Sequence, residues 1–188
     1  MSDGLAEGPD GRPRCWWGVS APEYVAYHDD EWGRPVRGAH ALYEKLCLEA
    51  FQSGLSWITI LRKREGFRAA FAGFDPEVVA SFGDEDVARL MADASIVRNR
   101  AKIEASIVNA RAALTVDLSE LIWGFAPPAR PRPSGRGDVP AVTDESKALA
   151  KALKQHGFKF VGPTTAYALM QACGLVDDHI EGCCVPAA

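Results

Sequence analysis

Gly157-Phe158-Lys159-Phe160-Val161-Gly162 reads as a tight, glycine-flanked turn, with Pro163 behind it at the first position of a new helix. Upstream, Thr143 or Asp144 caps a helix running to His156; downstream, a helix runs from Pro163 to Gly174. A helix, such a turn and a second helix whose first N–H groups point outward make a nest for phosphate. From Ser146 to Val176 there are four lysines (Lys147, Lys151, Lys154, Lys159) and no acidic residue, so a local positive field surrounds the turn. Gly157, Lys159, Val161 and Gly162 are therefore candidates for contact with a nucleic-acid backbone. A plain helix–helix connection closed by glycine is the competing reading.

Helical spacing dominates the rest of the chain. Apolar residues recur helically over Ala41–Ser53, and Gly54 offers a stop. Further helices are expected over Trp57–Phe71, from Pro76 (behind the cap Asp75) to Phe82, and over Asp84–Asp93, Ile96–Leu114 and Ser119–Phe125. Residues 127–142 form a loop rich in proline, arginine and glycine. No alternating β-branched run is long enough for a strand, so the predicted fold class is all-α. Residues 1–12 are polar and glycine-rich and read as a disordered tail, leaving 13–188 as a single domain.

The chain has 188 residues, 47% of them apolar, which suffices for a packed interior. No apolar stretch approaches the roughly 20 residues of a membrane span, and the N-terminus lacks the apolar centre of a signal peptide. A cytoplasmic location is expected. The formal charge of -4, taken as a sum, disfavours nucleic acid, but it arises wholly in residues 1–50, with nine acids and five bases; the remainder balances. Cys15, Cys47, Cys173, Cys183 and Cys184 are odd in number and irregularly spaced, which argues for metal binding or burial over disulfides.

Two further constellations carry chemistry. Cys15 and His28 lie thirteen positions apart near one end; His179 and Cys183 lie four apart near the other. Two thiolates and two imidazoles make a closed tetrahedral zinc set of the structural type, able to clip the chain ends together. Spacing alone also allows that two of the four are ordinary buried side chains. Tyr24, Tyr27, Trp32 and Trp57 accompany Glu49, an acid inside the otherwise apolar Leu46–Phe51 stretch. Aromatic faces with an anion suit a flat, cationic, hydrogen-bond-donating ligand. A core cluster in which Glu49 pairs with an arginine is the alternative.

Taken together, Arg14-Cys-Trp-Trp-Gly18, Tyr24-x-x-Tyr27-His-Asp-x-Glu-Trp-Gly33, Leu48-Glu-Ala-Phe-Gln-Ser-Gly-Leu-Ser-Trp57, Phe74-Asp-Pro76, Ile96-Val-Arg-Asn-Arg-Ala-Lys-Ile103, Gly157–Gly162, Met170-Gln-Ala-Cys-Gly174 and Asp178-His-x-x-Gly-Cys183 closely resemble the type I 3-methyladenine DNA glycosylases of the helix-hairpin-helix superfamily. The match runs in order from Pro13 to Cys184. It implies a helical fold around a base pocket, with a zinc-stapled lobe built from residues 13–35 and 175–186. It also implies Cys15, His28, His179 and Cys183 as ligands of one structural Zn2+, with Cys184 beside Cys183 leaving a one-residue ambiguity. Glu49 becomes the pocket carboxylate and catalytic candidate, with Tyr27, Trp32 and Trp57 as walls and Tyr24 nearby; Gly157–Gly162 becomes the hairpin that grips DNA. Ser95 departs from the glycine frequent in the family before the Ile-Val-Arg run.

The implied activity is hydrolysis of the N-glycosidic bond of 3-methyladenine in double-stranded alkylated DNA, by a monomer without a strand-cutting lyase step. The methylated nucleoside is cationic and its base departs neutral, so recognition of the extruded base is the main demand. Asp177, Asp178 and Glu181 occupy the neighbourhood of the superfamily's catalytic aspartate, but they flank the implied zinc ligands and are expected to belong to that lobe. Leu55, in the turn Gly54-Leu55-Ser56, is the candidate to fill the gap left by the extruded nucleotide, the alternative being a cap on the core. Two rival readings are a damage-sensing relative without turnover and a zinc-stapled interaction module.

Overall fold

The computed structural model of the chain describes residues 3–187. Its helices are α1 (Pro22–Ala26), α2 (Ala39–Gln52), α3 (Trp57–Ala70), α4 (Pro76–Ala80), α5 (Asp84–Ala92), α6 (Arg100–Ala113), α7 (Leu118–Trp123), α8 (Asp144–Gln155) and α9 (Pro163–Ala172). Their starts follow local chemistry. Asp75, Asn99, Asp117 and Thr143 each accept a main-chain N–H from the first turn of the helix they cap. The predicted Ile96–Leu114 helix begins later, at Arg100, because Asn99 accepts from Lys102 N and closes the turn there.

Helix α2 is the axis of the core. Leu42, Leu46, Cys47, Leu48 and Phe51 are all buried, and α2 packs against α3, α6, α7 and α9. Phe51, Phe67, Phe71 and Phe74 stack outward from it, with Phe71 and Phe74 parallel at 5.4 Å between ring centres. Buried Lys102 donates from Nζ to the carbonyls of Phe51 and Ser53, at 2.8 and 2.5 Å. It thereby closes the C-terminus of α2 and fixes the turn to α3.

Two expectations are corrected. The chain is mostly helical rather than all-α, because Leu5–Glu7 (β1) pairs antiparallel with Pro13–Cys15 (β2), Leu5 opposite Cys15. The tail assigned to residues 1–12 thus contains a strand; residues 1–2 lie outside the described residues. Besides these, α1 continues into one π-helical turn, Tyr27–Glu31, in a stretch to which the sequence assigned no element. The hairpin owes its order to Arg14, which is 2% exposed. Its guanidinium meets Asp10 at 2.6 and 2.8 Å and Asp29 at 2.7 to 3.1 Å. A charge that deep requires such partners.

The two chain ends meet beside this hairpin. Cys184 N–H donates to Pro13 O at 2.7 Å, and Val36 N–H to Cys173 O at 3.0 Å. Gly33 and Gly174 both have positive φ, and a Cβ on either would lie 2.7 or 2.8 Å from the other end of the chain, on His179 or Arg34. Only glycine permits that approach. Residues 127–142 are mostly irregular, as expected, with a short 3-10 turn at Arg136–Asp138. Arg130 and Arg132 bind the loop down onto Asp178 and Asp177. No helix among the described residues is long and apolar enough to cross a membrane.

Candidate functional site

A cavity of about 380 Å³ opens between the π-helical turn, the end of α2, the start of α3 and the last turn of α9, lined by Trp17, Tyr27, Trp32, Glu49 and Trp57 among others. Tyr24 joins the wall at its rim. All five residues nominated from sequence therefore border one space. The π turn does this because its widened register swings Tyr27 and His28 inward together, and both are buried. Tyr27 and Trp57 face each other at 5.4 Å between ring centres, tilted by 42°.

Trp17, which the sequence reading quoted without assigning, is the hub of the aromatic wall. Its ring lies 4.9 Å from Trp32, 5.5 Å from Tyr24 and 6.2 Å from Tyr27. Such edge and tilted contacts leave ring faces available to a flat ligand. Trp57 also has a buried indole N–H with no hydrogen-bond partner among the described residues, an arrangement that a ligand acceptor would relieve.

Glu49 is 5% exposed, and no described residue hydrogen-bonds its carboxylate. Burial pushes its carboxyl up to about 8, against a smaller opposing pull from Lys45. The arginine partner that would have made it a plain core residue is missing, because Arg64 and Lys45 are both engaged by Glu31. Burial, followed by the neighbouring Glu49, also raises the Tyr27 hydroxyl well above its ordinary value.

A smaller groove of about 260 Å³ leads from Glu49 past Gln52, Gly54 and Leu55 to Thr164 and Thr165 at the start of α9. Leu55 is 42% exposed and stands outside the core, which removes the core-cap reading. In the turn before α9, Asn109 clamps Lys159 at both main-chain groups, at 2.7 and 3.1 Å. Phe160 is 40% exposed at φ +55. Gly162 has free space around its Cα, as an approaching phosphate would require. Val161 is 3% exposed and its side chain belongs to the core, which leaves its main chain as the part that could meet DNA. The basic segment Arg62–Arg64 on α3 is engaged within the protein, by Glu23, the Ala94 carbonyl and Glu31.

Cys15, His28 and Cys183 converge, with ligand atoms all within 4.8 Å of one another and all three residues buried. His179 is their neighbour, its ring 5.1 Å from that of His28. Its Nδ1 donates to Asp177 at 2.8 Å, while its buried Nε2 has no partner. His28 Nδ1 likewise donates to Asp29 at 2.8 Å. Carboxylates on both outer nitrogens orient the inner ones as metal-ligating histidines are oriented. Hydrogen bonding with Cys15, and then with the adjacent His28, holds the Cys183 thiol well below its ordinary value. The donor set, the orphaned Nε2 and the two carboxylates fit a metal ion. Cys184 stands outside the cluster.

Among the three acids beyond the hairpin, Asp177 holds His179 and Arg132, and Glu181 is exposed. Asp178 differs from the expectation. It turns away from the metal-type cluster, lines the aromatic cavity, and is 2% exposed.

Known proteins resemble this chain over most of its length. A family model described as methyladenine glycosylase matches residues 17–186. The chain is 49% identical over 178 residues to DNA-3-methyladenine glycosylase 1 of Escherichia coli (strain K12), spanning 91% of this chain and 95% of the relative. A crystal structure of 3-methyladenine DNA glycosylase I superposes with TM-score 0.88 at 49% identity, over 92% of this chain and 100% of that one. A tyrosine-to-phenylalanine variant of 3-methyladenine DNA glycosylase I in complex with 3-methyladenine superposes with TM-score 0.86 at 37% identity, over 91% and 96%. With most of its length matched in sequence and in fold, the chain belongs to the methyladenine glycosylase family.

Proposed function

We propose that this chain excises 3-methyladenine from alkylated double-stranded DNA by hydrolysing its N-glycosidic bond. The observation that carries the reading is Glu49, a buried carboxyl without a protein partner, set among Tyr27, Trp32 and Trp57. A cationic purine stacked on those rings supplies the missing charge and donates its N6 amine to Glu49. Stacking on each face contributes about 0.5–2 kcal/mol once water is excluded. The base leaves neutral, so its departure needs no proton. The cavity must hold the extruded nucleotide, orient its amine and admit a water to the sugar carbon.

Among the described residues no lysine lines the cavity, which supports simple hydrolysis without a covalent amine intermediate. Gly157–Gly162 and the start of α9 act as a helix-hairpin-helix grip on the DNA backbone, and Leu55 fills the vacated position in the duplex. Cys15, His28, His179 and Cys183 hold one structural Zn2+, which ties the two chain ends into a lobe bearing Trp17, Tyr27 and Trp32. The metal supplies stability there and takes no part in bond cleavage. The protein works as a monomer in the cytoplasm.

Release of free base from methylated duplex DNA, followed chromatographically, tests the reading. Release of 3-methyladenine by the wild type, slowed in Glu49→Gln, is expected. Tight binding to the damage without any release would assign the chain instead to damage sensing.

A further inference from the structure

Asp178 sits in the cavity wall surrounded by donors. Tyr167 gives its hydroxyl proton to Oδ2 at 2.6 Å, and Arg130 Nη2 donates to Oδ1 at 2.7 Å. Gln171 Nε2 donates to Oδ2 at 2.8 Å. Arg130 Nη2 also donates to the Tyr167 oxygen at 2.7 Å, so the hydroxyl's proton is directed to Asp178. A carboxylate paired with a guanidinium only accepts. Gln171 must therefore turn its NH2 toward Asp178, and its carbonyl oxygen Oε1 is left over, with no described donor on it. Gln171 shares the cavity wall with Glu49.

We propose that Gln171 is a specificity-determining residue, a second acceptor in the base cavity, and that Asp178 is the positioning residue that sets its polarity. The inference rests on the reading of the cavity as a purine site. Two acceptors, Glu49 and Gln171 Oε1, match a ring that carries an exocyclic amine. The same ring with a carbonyl there would face acceptor with acceptor, and discrimination by one such reversed hydrogen bond is about ten- to a hundredfold. Arg130 comes from the loop 127–142, so that loop acts in base choice although its arginine never touches the base.

The test is binding of free 3-methyladenine and free 3-methylhypoxanthine, in which a carbonyl replaces the amine, measured by calorimetry on the full chain. Wild type should prefer the amine. Asp178→Asn can donate to Gln171 and let its amide turn over, so the preference should fall about tenfold or more. Gln171→Leu should lower it by loss of 3-methyladenine affinity alone. A merely structural role for Asp178 would weaken both ligands equally, and an unchanged ratio in Asp178→Asn with a native melting curve overturns the polarity argument. Should Asp178→Asn not fold, Gln171→Leu decides: an unchanged ratio there refutes the second acceptor. The underlying reading fails separately, if wild type binds neither base or Glu49→Gln binds 3-methyladenine as wild type does.

Discussion

His179 gives its Nδ1 proton to Asp177 at 2.8 Å, and the opposite nitrogen of the same ring is buried facing no protein partner. A buried imidazole nitrogen left bare costs about 1–3 kcal/mol, and a bond to a metal removes that cost. Purified protein should carry close to one zinc per chain. Cys15→Ala and His179→Ala should lose the metal and lower the melting temperature together, by about 10 °C. Metal-free wild type that melts like the metal-bound form would refute the staple.

Glu49 should impose a rising pH limb on excision. Its carboxyl is held up to about 8 by burial, so the charged form that favours a cationic base predominates only above that value. kcat/KM, which reports the free enzyme, should climb toward pH 8 and level off beyond it. Glu49→Gln should be slower by about ten- to a hundredfold and should lack this limb. An identical pH profile in the variant would show that the ionising group lies elsewhere.

The same residue weakens the fold at high pH. The folded pKa of Glu49 lies above its unfolded value of about 4.3, so the folded state binds more protons between the two. Stability then declines as pH rises from about 4.3 to about 8, at up to about 1.4 kcal/mol per pH unit. Glu49→Gln escapes this loss. Denaturant melts at pH 5 and pH 9 should show the variant gaining on wild type at the higher pH; a constant difference contradicts the burial argument.

Leu55→Ala should melt like wild type, since the side chain is exposed and outside the core. Its binding to duplex DNA with an abasic site should weaken about tenfold, the scale of a leucine's buried surface. Unchanged affinity would leave the wedge role unsupported.

Lys159→Ala should lower the log–log salt slope of DNA binding by about 0.9, one phosphate contact, with the excised base unchanged. Gly162→Asp should do more harm, because it sets an anion where Gly162 leaves open space. Both variants should still bind free 3-methyladenine. If neither shifts the salt slope, the turn is only a helix connection.

Much of this arrangement was legible in the residues. Caps such as Asp75 and Thr143 and the periodicity of α2 depend on neighbours a few positions away, and sequence reports those directly. Trp17 and Asp178 were missed for the opposite reason. Trp17 stands two residues after the proposed ligand Cys15 and Asp178 directly before the proposed ligand His179, yet each turns to the cavity, and for Asp178 that direction follows from Arg130 and Tyr167. The short hairpin escaped because three-residue strands have no period to detect, and its order comes from Asp29, fifteen residues beyond Arg14. Val161 looked like part of an exposed turn, but its neighbours draw it inward.

The meeting of the chain ends sets an order of events during synthesis. Cys15 and His28 leave the ribosome early, and their companions His179 and Cys183 follow some 150 residues later. At about 5–20 residues per second, the aromatic wall built on Trp17, Tyr27 and Trp32 waits roughly ten seconds or more for its counterpart. Until then α2 to α8 can collapse on their phenylalanines, but the cavity has only one side. The wall supplied by Ala168, Gln171 and Asp178 is thus the last part of the cavity to be made.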